Sequence, residues 1–159
     1  MWLTESGRPP TPGSRTVCGY ALRWGVPSPV RPDYDEVFRP RSLAFPRPVP
    51  LRINHDKGQT ITTTEDKAFR IRCDEVGLWV EYDCPFTDIG DDVLQGARLG
   101  RFKAWSISFG AIDQRWDRTG HRPLRIIAKA NLGEVSIADR GAHATTIGIL
   151  SRMRPATSN

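Results

Sequence analysis

Histidine and cysteine are scarce in this sequence, three of each in 159 residues, and no run of about 18 consecutive apolar residues occurs anywhere in it. A membrane-spanning helix is therefore excluded as an expectation. The opening stretch "MWLTESGRPPTPGSR" also lacks the apolar segment of a signal peptide, so the chain reads as soluble and non-secreted, with no membrane partner. Cys18, Cys73 and Cys84 are odd in number, far apart and without CxxC spacing, which argues against a disulfide framework and against a zinc site. They are expected to be small buried hydrophobes. A block of one charge sign is missing as well. The 23 basic residues are interspersed with 18 acidic ones, so the net charge of +5 describes an ordinary solvated surface better than a nucleic-acid footprint. Aromatic residues do not alternate with basic ones in any segment, which leaves no visible platform for stacking bases. No specific nucleic-acid partner is expected.

What remains is enough chain for one domain with a single core. Ten of the 13 prolines fall in the first fifty residues, where "RPPTPGSR", "VPSPVRP" and "FPRPVP" interrupt each short apolar run. Residues 1–15 have little to bury and are expected to form a disordered arm ahead of a domain over 16–150, with a basic tail over 151–159. "TVCGYALRW" and "VPLRIN" read as strands, with a short helix or turn between them in "YDEVFRPRSLAF". "QTITTT" is β-branched, and "KAFRIRCDEVGLWVEYDC" reads as two alternating runs joined into a hairpin. In "TDIGDDVLQGARLG", Thr87 or Asp88 can cap a helix whose apolar face is Ile89, Val93, Leu94 and Ala97, and Gly100 ends it. A serine-bearing strand, a strand "PLRIIAKANL", a last strand "GEVSIAD" and a short terminal helix in "AHATTIGILSRM" follow. Six to eight short strands, one clear helix and no βαβ alternation or internal repeat give a mostly β fold with a few helices. The expected architecture is a closed antiparallel β-barrel with peripheral helices.

Polar intrusions into this β pattern are the candidate chemistry. In "RFKAWSISFGAI" the strand period places Phe102, Ala104, Ser106, Ser108 and Gly110 on one face and Trp105, Ile107, Phe109 and Ala111 on the other. The bulky set makes core. The hydroxyl set faces solvent, a pocket or a second layer. His55 in "RINHDKGQTI" stands where a β run stops at a polar turn, a position from which an imidazole can face a cleft. His121, in "RTGHRP", belongs to an exposed turn, and His143, in "RGAHATT", is placed to cap the terminal helix. Glu134 begins a strand in which it shares a face with Ser136 and Ala138, opposite Val135, Ile137 and Asp139, and a carboxylate there needs a partner. One Ser, one His and one Glu from three strands supply the groups that a nucleophile, its base and an orienter require. Spacing in sequence does not bring them together.

The series "VCGYALRW", "DYDEVFRPRSL", "VPLRINHDKGQTI", "DEVGLWVEYDCPFTDIGDDVLQGARLGRFKAWSISF" and "LGEVSIADRGAH" resembles, in order and spacing, the prohead (capsid maturation) serine proteases of tailed bacteriophages. That family is similar in fold to the herpesvirus assemblins. The resemblance implies a catalytic set of His55, Ser106 and Glu134, with no metal and no cofactor. Where the family usually has Gly two residues after the nucleophile, this chain has Ser108, so a register with Ser108 as the reactive hydroxyl is the alternative. The usual "PA" after the last strand is Gly141–Ala142 here, and Arg140 is the candidate for an oxyanion-stabilising arginine. The implied activity is a serine endopeptidase that acts inside an assembling procapsid in the host cytoplasm. Its substrates would be scaffold protein or the scaffolding segment of the major capsid protein, and itself; homo-oligomerisation is a further implication. The rivals are a catalytically inactive capsid- or scaffold-binding barrel of the same ancestry and a basic nucleic-acid-associated module. After Leu150 only nine residues follow, with Pro155 among them, too few for a scaffolding helix.

Overall fold

The computed structural model describes residues 14–141, 143 and 147–149. Along the chain these form β1 (Thr16–Arg23), β2 (Ser28–Arg31), β3 (Tyr34–Phe38), β4 (Leu43–Ala44), β5 (Pro50–Ile53), β6 (Thr60–Thr63), β7 (Phe69–Cys73), β8 (Gly77–Asp83), helix α1 (Asp88–Arg98), β9 (Ala104–Asp117), β10 (Leu124–Ala138) and β11 (Gly148–Ile149). The mostly β character with one α-helix stands. The segment read as a short helix or turn between the first two expected strands instead holds β3 and β4, and Gly148–Ile149 of the expected terminal helix are a strand on β1. The two expected strands "PLRIIAKANL" and "GEVSIAD" are one continuous β10, carried past Gly133 by a register shift against β9 between Leu132 and Glu134.

The strands make two sheets, one in the order β11-β1-β8-β7 and one in the order β2-β3-β10-β5-β6, with β4 and β9 also paired to β10. Among the described residues the ladders form two sheets packed on one core and do not close into a barrel, which leaves the barrel expectation unconfirmed. The first sheet is antiparallel throughout, as expected. The second is not. Antiparallel β9 lies along one edge of β10, while β3, β4 and β5 pair in parallel, one after another, along its other edge. Such pairings need long connections and leave no short-range signature.

The apolar alternation of each strand points at a common interior. Val17, Leu22 and Val80 of the first sheet meet Phe38, Leu51, Trp105, Ile127, Val135 and Ile137 of the second, all with at most 1% exposure. The helix contributes Val93, Leu94 and Ala97 to that core, and its first turn is capped by the Thr87 hydroxyl, which accepts from Gly90 N–H. Gly77 permits the close approach of β8 to β1, where a Cβ would stand 1.8 Å from the Leu22 carbonyl oxygen. Arg15 is held at the start of the described chain, donating to the Cys84 and Pro85 carbonyls at 2.9 and 2.8 Å. Residues 1–13, most of the expected arm, and the expected tail over 151–159 lie outside the described residues. Cys18 and Cys84 are buried and Cys73 is half-buried, and no disulfide joins any two of them.

Candidate active site

The site is built on β10, the central strand of the second sheet, which pairs with β3, β4, β5 and β9. Ser106 of β9 lies directly across from Ser136 of β10, Ser108 across from Glu134, and Arg52 of β5 across from Ser136 on the other edge. Cross-strand partners project to the same side of a sheet, so Arg52, Ser136, Glu134, Ser106 and Ser108 share one face. The opposite face of β9 carries fully buried Trp105 into the core, with Ile107 and Phe109 packed against it. The serine face is thus the site side.

His55 reaches this face through a tight turn. The Asp56 N–H donates to the Ile53 carbonyl at 2.9 Å, and the two central residues, Asn54 and His55, both have positive φ, 48° and 61°. This is the signature of a type I′ turn, whose second central position ordinarily belongs to Gly. Asn54 suits its place, and its side-chain oxygen also accepts from Asp139 N–H at 3.1 Å. A histidine in the left-handed region costs on the order of 1–3 kcal/mol and persists only where its surroundings hold it. Here the Asn54 N–H donates to the Ile137 carbonyl at 2.9 Å and the His55 N–H donates to Ser136 Oγ at 3.0 Å, so the turn is tied to β10 at both central residues.

The imidazole lies between the two other candidate groups. Its Nε2 is 2.8 Å from Ser106 Oγ, and its Nδ1 contacts Glu134 Oε1. Ser136 donates its hydroxyl to the same Glu134 oxygen at 3.2 Å, and Arg52 ion-pairs with Oε2. Every polar atom of the Glu134 side chain therefore has a partner, although the residue is only 5% exposed. Burial pushes the Glu134 carboxyl up, but the hydrogen bonds from His55 and Arg52, with their charges, outweigh it and hold the group below the usual carboxylate range. Ser106 is 8% exposed, and the His55 side chain 39%, so the groups open to solvent on the imidazole side. Ser108 is exposed, with its Oγ 3.4 Å from Nδ1, the nitrogen that already faces Glu134.

The structure thus brings His55, Ser106 and Glu134 into one hydrogen-bonded row, with Ser108 beside it. Arg140 is exposed and forms no hydrogen bond or ion pair with the row. His121 is exposed. His143 sits elsewhere, edge-on to Phe38 and 3.7 Å from Glu36 Oε1, rather than at a helix end. Arg52 and Ser136 were missed as site residues. Strand alternation offered a signal for both, since it sets Arg52 with Asn54 opposite Leu51 and Ile53, and Ser136 with Glu134. No group of three or more His, Cys, Asp or Glu that could hold a metal ion occurs among the described residues.

A hydroxyl hydrogen-bonded to an imidazole that is oriented by a buried carboxylate is the arrangement of a serine-nucleophile hydrolase, here set on a two-sheet, mostly β scaffold. The family comparison defines the chain more closely. Residues 6–158 match the model of the caudovirus prohead serine proteases, and the chain belongs to that family. Its members are serine proteases of capsid maturation in tailed phages. No curated protein and no solved structure matches the chain.

Proposed function

We propose that this chain is an active serine endopeptidase whose nucleophile is Ser106, whose base is His55 and whose orienter is Glu134. The observation that carries the reading is the imidazole placed between Ser106 Oγ, at 2.8 Å, and the Glu134 carboxylate. In the neutral tautomer with its proton on Nδ1, His55 donates to Glu134, and Nε2 accepts from the Ser106 hydroxyl. As Oγ attacks the scissile carbonyl carbon, the hydroxyl proton passes to Nε2 and an oxyanion forms on the carbonyl oxygen. Collapse breaks the carbon–nitrogen bond, and Nε2–H protonates the leaving amine. Water then attacks the acyl-enzyme, giving its proton to Nε2, and Ser106 leaves with that proton. Glu134 remains ionised throughout, which its low pKa and its Arg52 partner favour.

The geometry favours Ser106 over Ser108, because Nε2 faces Ser106, whereas Ser108 approaches the nitrogen committed to Glu134. The family supports substrates among capsid and scaffold proteins. On this reading the enzyme works within the assembling procapsid in the host cytoplasm, cutting scaffold or the scaffolding segment of the major capsid protein, and also its own chain. Its domain spans 16–150, and a homo-oligomer forms there. Among the described residues no helix is long and apolar enough to cross a membrane. The test is cleavage of the co-expressed capsid protein by wild type, Ser106→Ala and Ser108→Ala. Loss in Ser106→Ala alone is the expected result. Loss only in Ser108→Ala reassigns the nucleophile, and undiminished cleavage in both refutes the serine mechanism.

A further inference from the structure

A cavity of about 480 Å³ lies against the same two strands as the candidate site, between the Pro46–Pro48 segment and the ladder formed by Gly110, Asn131, Leu132 and Gly133. Its position relative to Ser106 follows from the register. Gly110 pairs with Asn131, and two residues back along β9 Ser108 pairs with Glu134. Gly110 alternates onto the face of Ser106 and Ser108, and the four residues from Ser106 span roughly 13 Å of strand. An extended peptide rises by the same increment, so a chain lying along this face with its scissile carbonyl at Ser106 brings a side chain about three to five residues away over the cavity.

The walls specify what that side chain is. A Cβ added at Gly110 would meet nothing within 4 Å, so the space above it is open, whereas one at Gly133 would already stand 3.3 Å from the Ser108 carbonyl oxygen. Arg47 is the one charged residue among those lining the cavity, and Asn131 adds a half-buried amide. Neither side chain has a hydrogen-bond or ion-pair partner among the described residues, in contrast to Arg52, Arg70, Arg122 and Arg125, each of which pairs with a carboxylate. The nearby charge of Glu134 is taken up by Arg52 and His55. A guanidinium without a carboxylate, beside an amide donor and over an open floor, is complementary to an incoming carboxylate. The net charge of +5 favours an acidic partner in the same sense.

We infer that this cavity is a substrate subsite that receives an Asp or Glu side chain three to five residues from the cut bond, with Arg47 selecting the charge and the absence of a side chain at Gly110 admitting it. The inference rests on the protease reading, and the test separates the two. Full-length wild type, Arg47→Gln, Arg47→Glu and Gly110→Trp are labelled with diisopropyl fluorophosphate and then assayed on internally quenched peptide libraries carrying Glu or Gln at each position near the cut. All four label at the same rate. Wild type prefers Glu over Gln at one position three to five residues from the cut. Arg47→Gln lowers kcat/KM for the Glu peptides roughly two- to five-fold, as expected for an exposed ion pair, and leaves the Gln peptides unchanged. Arg47→Glu reverses the preference, and Gly110→Trp abolishes it. Wild type that labels and cuts without preferring Glu at those positions overturns the subsite alone, as does a preference that survives Arg47→Gln and Gly110→Trp. Failure of wild type to label or cut overturns the protease reading and the subsite with it.

Discussion

Removing one oxygen from Ser136 tests how the site is held together. Ser136 is fully buried, and its hydroxyl bonds both to the His55 N–H, as acceptor, and to Glu134 Oε1, as donor. In Ser136→Ala the His55 N–H loses its acceptor, which costs about 1–3 kcal/mol for a buried donor left unsatisfied. The hydrogen bond to the ionised carboxylate, of the kind worth about 1.5–3 kcal/mol, is lost as well. Solvent reaches the exposed side of His55, and Glu134 keeps two other partners, so the two losses do not add in full. A net destabilisation of about 2–3 kcal/mol is expected, read as a lower urea midpoint with an unchanged slope. The same hydroxyl also holds the left-handed turn that aims the imidazole. Its loss lets Nε2 drift from Ser106, and at 1.36 kcal/mol per decade a barrier rise of about 1.5–3 kcal/mol lowers kcat roughly 10- to 100-fold. Because Ser136 touches no substrate, KM should change less than about threefold. A Ser136→Ala enzyme with wild-type midpoint and wild-type kcat would show that neither hydrogen bond positions His55, and a change confined to KM would refute the same argument.

Glu134→Gln keeps the shape of the site but not the charge that orients and stabilises the imidazolium, so kcat should fall about 10²- to 10⁴-fold while the fold persists, checked by circular dichroism beside the activity assay. Gly77→Ala drives a methyl into the Leu22 carbonyl at the β1–β8 ladder and should cost roughly 3 kcal/mol in urea unfolding. Stability should also fall in acid. Burial pushes His143 down to about 4, so its stabilising contribution is complete above the unfolded value near 6.5 and is lost as the pH falls towards 4, about 2 kcal/mol of it between pH 7 and pH 5. Glu134, held below the usual carboxylate range, adds a loss of the same sign below about pH 4, whereas Glu36, raised by its own burial against the pull of Arg125, works in the opposite sense. Urea midpoints at pH 7, 6 and 5 should show this slope, and His143→Phe should flatten it; an equal slope in the variant would remove His143 as the cause.

Much of the local structure was legible because it depends on side-chain period and on caps. The runs of β1 and of the β7–β8 hairpin, the Thr87-capped helix and the two faces of β9 and β10 all follow from neighbouring residues. So does the notice given by Ser106 and Glu134, polar groups set into apolar strands, and by His55 just past the end of one. Their meeting does not follow. Ser106 and Glu134 lie 51 and 79 residues from His55 in sequence, and nothing local states which strand lies beside which. The tertiary structure decided that β10 is one long strand, with β9 on one edge and three short parallel strands on the other, and so placed Arg52 and Ser136 around the same carboxylate. It also decided the left-handed turn at Asn54–His55, which propensity opposes and which hydrogen bonds to Ser136 and Ile137 sustain. Alternation depends only on a residue and its neighbours, so it can be read along the chain, whereas strand partners and a strained turn are set by contacts between segments that fold together only when the whole core forms.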